Sequence, residues 1–179
     1  PIKVNLIVNE AVKLLRASLP STIQIRHKIE SNLTVRSDAT NIHQILMNLC
    51  TNSSYAMQEN GGILEVTLSD VNLDSNFAEQ HPGVKPGKFI KLTVSDTGCG
   101  MSPEVTSRIF DPFFTTKKVG QGTGMGLSVV HGIVKNHGGA ITVNSLAGQG
   151  TTFGLFLPAT EAVSITPEDS VQLMVTGTE

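Results

Sequence analysis

Apolar residues near the start of the chain recur at helical spacing: Leu6, Ile7, Ala11, Leu14 and Leu15 follow Asn5, which can cap a helix, and Pro20 closes the run. The pattern predicts a first helix. Ile23, Ile25, His27 and Ile29 then alternate with Gln24, Arg26 and Lys28, the period-two signature of a strand with one buried face, and Leu33 to Arg36 is a shorter extended run. Asp38 stands as the cap of a long helix reaching about Gln58, because Ile42, Ile45, Leu46, Leu49, Ser53, Ala56 and Met57 fall on one face. Asn60-Gly61-Gly62 ends it.

Further on, Ile63 to Val71 and Phe89 to Ser95 read as the two strands of a long hairpin around a polar loop, Leu73 to Lys88. Pro103 to Ile109 predicts a short helix, residues 111 to 124 a glycine-punctuated loop, and Met125 to Asn136 a helix closed by Gly138. Ala140 to Ser145 and Thr151 to Leu157 predict a second hairpin, after which the chain turns polar and aperiodic from Pro158. The expected organisation is one domain over residues 1–158 and a polar tail or linker over 159–179. Strands outnumber helices but three substantial helices remain. The fold class is therefore α+β, a two-layer sandwich whose mixed, mostly antiparallel sheet carries three main helices on one face.

Composition narrows the partners. The 179 residues, 39% hydrophobic and 16% charged, suffice for one folded core and are too few for two comfortable domains. A formal net charge of −2 with no Lys/Arg run gives no long-range attraction to nucleic acid or to an anionic membrane. Cys50 and Cys99 lie in unrelated contexts, so neither a disulfide framework nor a zinc site is indicated and a reducing cytosol is the expected setting. No apolar run approaches the ~18 residues of a membrane helix. Because the chain opens on Pro1 inside an apparent element, it is expected to be a cytoplasmic piece of a longer protein. That parent is free to be membrane-bound, without membrane contact by this piece.

Four stretches carry chemistry. Asn48 and Asn52 lie one turn apart at the border of the apolar face of the long helix. Their amides either bond neighbouring side chains or offer a carbonyl oxygen to a hard cation such as Mg²⁺. Asp96-Thr97-Gly98-Cys99-Gly100-Met101 follows a buried-looking strand: the carboxylate can accept from an amino group such as that of adenine, or simply cap a turn. Phe110, Phe113 and Phe114 cluster just before Thr115-Thr116-Lys117-Lys118, as an anchor for a mobile lid or as a structural satellite cluster. Lys117, at the end of that lid, either pairs with a terminal phosphate or is an ordinary surface lysine. Last, Gly120-Gln121-Gly122-Thr123-Gly124-Met125-Gly126-Leu127 opens a helix, where free backbone N–H groups make a phosphate site. It has no Gly-Lys-Ser/Thr ending and no dinucleotide-binding glycine pattern, so it is a different phosphate loop.

Together and in this order, these stretches resemble the catalytic domain of sensor histidine kinases, a branch of the Bergerat-fold ATPases that also include DNA gyrase and mismatch-repair proteins. Gln44 to Asn52 is similar to the family's asparagine box, Asp96 to Gly100 to its first glycine box and Phe110 to Lys117 to its F box. Gly122 to Leu127 is similar to its second glycine box, and Gly148 to Phe153 to its final Gly-x-Gly-Thr turn. The resemblance implies the Bergerat fold, ATP and Mg²⁺ as cofactors, and a set of roles. Asn52 would hold Mg²⁺ with Asn48 beside it, Asp96 would receive the adenine amine, and Gly98 and Gly100 would shape the base pocket. The turn through Gly122, Thr123, Gly124, Met125, Gly126 and Leu127 would hold phosphates, with Thr151 completing the floor. In one departure, Tyr55 stands where many relatives carry a basic residue, which makes Lys117 the better phosphate contact.

The implied activity is transfer of the ATP γ-phosphoryl group to a histidine on a separate dimerisation and phosphoacceptor domain. A response-regulator receiver domain would then be the downstream partner. A hydrolytic ATPase of the gyrase type is the rival, but such relatives place a Glu four residues before the metal Asn to activate water. Here that residue is Asn48, an amide that takes no proton at neutral pH. A non-catalytic ATP-sensing module is the other alternative. None of the five histidines, His27, His43, His81, His131 and His137, precedes a Glu as the family's acceptor does, so the acceptor is expected from the parent protein.

Overall fold

The computed structural model of the protein describes residues 1–120, 122 and 124–160. In chain order the elements are β1 (Ile2–Lys3), α1 (Val4–Ser18), β2 (Ile23–Ile29), β3 (Thr34–Val35), α2 (Ala39–Ala56), β4 (Gly62–Leu73), α3 (Ser75–Gln80), β5 (Gly87–Asp96), α4 (Pro103–Thr106), α5 (Gly126–Asn136), β6 (Ala140–Leu146) and β7 (Gly150–Thr160). Seven strands form one sheet. β7 lies between β6 and β5, β4 follows β5, and β2 closes the edge in parallel with β4. Every other pairing is antiparallel, and the end of β7 turns to pair with β3, which pairs with β1.

The strand period decides what meets the helices. Leu64, Val66 and Leu68 on β4 oppose Asp96, Val94 and Leu92 on β5, and the five apolar members of this set are buried under the helix layer. Phe153, Leu155 and Leu157 continue that face on β7. α2 lies across the middle, sinking Ile42, Ile45, Leu46, Leu49 and Ser53, while Asp38 caps it by accepting from the Thr40 N–H at 2.8 Å. α1 and α5 flank it, α5 through Val130 and Val134. The expected α+β sandwich with three helices on one sheet face is what the chain forms.

Several expectations need correction. α1 begins at Val4 because its buried stripe is Val4, Val8, Ala11, Val12 and Leu15; Leu6 and Leu14 point outward, 62% and 48% exposed. Asn5 is thus inside the first turn and not at the cap position, which is Lys3; its side chain donates to Asn32 Oδ1 and accepts from the Leu6 N–H. The polar loop holds α3, capped by Asp74, whose Phe77 packs on Phe156 across the other face of the sheet. α4 ends at Thr106, before turns carry the chain to buried Ile109. β7 runs to Thr160, where the Thr34 hydroxyl donates to the Thr160 carbonyl at 2.9 Å, so the folded domain extends past residue 158. Residues 161–179, most of the expected polar tail or linker, lie outside the described residues.

Candidate functional site

A cleft of about 450 Å³ opens between α2, the N-terminal end of α5 and the ends of β5 and β7. Its closed end follows from strand parity: Asp96 is the last inward position of β5, so a carboxylate occupies a site that the same face fills with Leu92 and Val94 further back. Asp96 is only 6% exposed. Oδ2 accepts from the Ser53 hydroxyl at 2.8 Å, Oδ1 accepts from the Gly98 N–H at 2.9 Å, and the Thr151 N–H also acts on the carboxyl. Burial nevertheless wins, and the Asp96 pKa is raised above the ordinary 3.8 despite the three hydrogen bonds. A buried acceptor with its protein donors satisfied along the floor is poised for one further donor from a ligand.

Gly98 sits behind this end, buried, and does not line the cleft. A side chain there would strike Ala56, with Cβ at 2.7 Å and the carbonyl oxygen at 2.8 Å, so glycine lets the end of β5 close onto α2. The Cys99 N–H, donating to the Ala56 carbonyl at 3.1 Å, fixes that approach. Thr151, opposite Asp96 on β7, is buried with its hydroxyl 2.8 Å from that of Ser145. Met101, Val105, Ile109 and Phe153 add apolar wall, the surface that a flat heterocycle needs beside one polar anchor.

Toward the mouth, α2 turns Asn48, Asn52 and Tyr55 to the cleft. The Asn48 side-chain amide donates to the Gly126 carbonyl at 3.3 Å, tying α2 to the start of α5. Asn52 Oδ1 accepts from the Lys117 ammonium at 3.1 Å, and that ammonium also lies 4.9 Å above the Tyr55 ring. Burial lowers the Lys117 pKa. α5 starts without a side-chain cap at Met125, so its first N–H groups are not consumed by a capping side chain.

Of the expected site residues, Asn48, Asn52, Asp96, Gly100, Lys117, Gly122, Gly124, Gly126, Leu127 and Thr151 all line this one cleft. Met125 is 37% exposed and is not among the lining residues. Thr123 lies outside the described residues. The phenylalanine segment divides its labour differently from expectation: Phe113 is 76% exposed, while Phe110 packs against the core and on His131, and Phe114 lines the cleft. What holds the loop at Phe113 is backbone, its N–H donating to the Gly124 carbonyl at 3.0 Å. Ser53 escaped notice as a site residue; a hydroxyl on an otherwise apolar helix face, adjacent to Asn52, was the available signal. None of the five histidines lines the cleft.

Among the described residues no three His, Cys, Asp or Glu side chains gather as a metal site. The donor chemistry still fits a hard cation at one place, since the Asn52 carbonyl oxygen faces the cleft and already receives a cationic group.

The family model described as histidine kinase-, DNA gyrase B- and HSP90-like ATPase matches residues 37–161. The sensor kinase CckA of Brucella abortus is 41% identical over 126 residues, 69% of this chain and 13% of that protein. The sensor histidine kinase ZraS of Escherichia coli K12 is 35% identical over 170 residues, 94% of this chain and 32% of that protein. The chain therefore spans less than a third of the length of these relatives. Among solved structures, the nucleotide-free catalytic domain of the histidine kinase ThkA superposes with a TM-score of 0.70 at 29% identity, covering 88% of this chain and 93% of that one. Full-length ShkA in complex with AMPPNP superposes with a TM-score of 0.71 at 26% identity, covering 90% of this chain and 31% of that one.

Proposed function

The chain belongs to the histidine kinase-, DNA gyrase B- and HSP90-like ATPase family, as an ATP-binding catalytic domain of the sensor histidine kinase kind, and from that premise we propose that it delivers the ATP γ-phosphoryl group to a histidine outside this chain. The observation that carries transfer over hydrolysis is Asn48. A water-splitting relative needs a base beside the phosphates, and here that place holds an amide that spends its N–H on the Gly126 carbonyl. Asp96, the one carboxylate lining the cleft among the described residues, is engaged at the opposite, closed end. With no base for water, the domain is left to position phosphate and screen charge for a nucleophile that arrives from outside.

In this reading Asp96 accepts the adenine amine, the apolar wall flanks the base, and the N–H groups opening α5, which no side chain caps, hold phosphate oxygens. Asn52, with Asn48 beside it, would hold Mg²⁺, which supplies charge neutralisation at the phosphates when bound. The partners proposed are the dimerisation and phosphoacceptor helices of the parent kinase and, beyond them, a response-regulator receiver domain.

The test is incubation with labelled ATP, with and without the parent kinase's phosphoacceptor helical hairpin. The hairpin is expected to become labelled in a bond lost in acid and stable in alkali, as for phosphohistidine, and the chain alone to stay unlabelled. Acid-stable labelling of the chain by itself, or rapid release of inorganic phosphate without an acceptor, would overturn the proposal.

A further inference from the structure

Asp96 and Lys117 are the only charged residues lining the cleft among the described residues. Lys117 is carried on a loop whose next residues, Lys118 and Val119, are exposed, and a lysine there ordinarily extends into water. Instead its ammonium turns in to Asn52 Oδ1 and lies over the Tyr55 ring, at 3.1 and 4.9 Å. Gly122 makes room for the stem, since a side chain there would approach Lys117 Cδ to 2.8 Å. Asn52 and Tyr55 are three apart on α2 and share a face, so one helix supplies both contacts.

Both contacts are neutral. The ion pairs formed by the described residues, Lys28 with Glu30 and Arg108 with Asp111, do not include Lys117. A carboxylate would hold the ammonium more strongly and cancel its charge; an amide oxygen and a ring face fix its direction and leave the charge for an arriving anion. Such a holder is useful only where the anion is the ligand.

We propose that Tyr55 is a positioning residue whose ring face keeps the Lys117 ammonium turned into the cleft beside Asn52, where it meets the terminal phosphate while the Asn52 oxygen is left to the metal, so that the ring sets a preference for nucleoside triphosphate over diphosphate. This rests on the nucleotide reading above. On this proposal, removing the ring lets Lys117 swing into solvent, and the loss falls on the phosphate that a triphosphate has and a diphosphate lacks.

The experiment is calorimetric titration of ATP and ADP, each with Mg²⁺, into the wild type, Tyr55→Leu, Tyr55→Phe, Lys117→Met and the Tyr55→Leu/Lys117→Met double variant. Tyr55→Leu is expected to lower the ATP-over-ADP preference by about 2–30-fold, the equivalent of one cation–π contact. Its ADP affinity should persist, which also reports an intact fold. Tyr55→Phe keeps the ring face and should recover most of the lost preference, and Tyr55→Leu should change nothing further in the Lys117→Met background. Equal loss of ATP and ADP, or an undiminished effect of Tyr55→Leu without Lys117, would reduce Tyr55 to cleft wall and overturn the inference. A wild type that binds both nucleotides with a preference unmoved by Tyr55→Leu contradicts this inference alone. A wild type that binds neither contradicts the nucleotide reading with it.

Discussion

Asp96 concentrates the balance between folding and function in one side chain. Its pKa is raised because burial penalises the carboxylate more than its three hydrogen bonds repay. The folded protein therefore holds this proton more tightly than the unfolded chain, so stability falls as pH rises from 3.8 through the raised value. Asp96→Asn removes the charge while its carbonyl still accepts from Gly98. Asn also puts a donor where Oδ2 accepts from Ser53, so the pH dependence is the readout: thermal melting should find the difference between variant and wild type moving in the variant's favour as pH rises through the Asp96 pKa. A melting difference independent of pH would contradict this origin. Asp96 was legible in the sequence because it ends a buried-looking strand ahead of two glycines. Its partner Ser53 was legible only as a face member, since a helix pattern gives the face of a residue and not what the sheet presents opposite.

Among the elements, α2 and the loop carrying Phe113 differed under sequence reasoning. α2 is a long amphipathic helix with an Asp cap and a glycine stop, and both its apolar stripe and its asparagine edge were recoverable from spacing. The phenylalanines suggested an apolar anchor for that loop, yet Phe113 is exposed and what fixes the chain there is backbone. Phe113 has φ 66°, its N–H reaches the Gly124 carbonyl, and Gly124 has φ 69° with the Phe113 backbone packed against the place a side chain would fill. Sequence periodicity carries no signal for such a lock. Gly124→Ala brings a left-handed penalty of about 1–2 kcal/mol as well as the clash. Hydrogen exchange should quicken over residues 111–120 while the core strands β4 and β5 keep their protection. Unchanged protection across residues 111–120 would show that the lock does not hold this loop.

Across the whole molecule, the sandwich was readable because its two periods separate cleanly: strands alternate and helices carry one stripe. The exceptions share a cause. The start of α1, the α3 cover over Phe156 and the last pairs of β7 are decided by contacts between distant segments, such as Thr34 with Thr160, which no local window contains. The same architecture explains the site, for it sits where inward sheet positions change from apolar to polar at Asp96, Thr151 and Ser145, beneath the polar edge of α2.

The central claim is that this polar end binds an adenine nucleotide through Asp96, and calorimetric titration of ADP with Mg²⁺ into the wild type and Asp96→Asn tests it most directly. Loss of one charge-assisted hydrogen bond is worth on the order of 1.5–3 kcal/mol, so the variant is expected to bind about 10–150-fold more weakly. Equal affinity of the two proteins, both folded by their melting curves, would contradict the account.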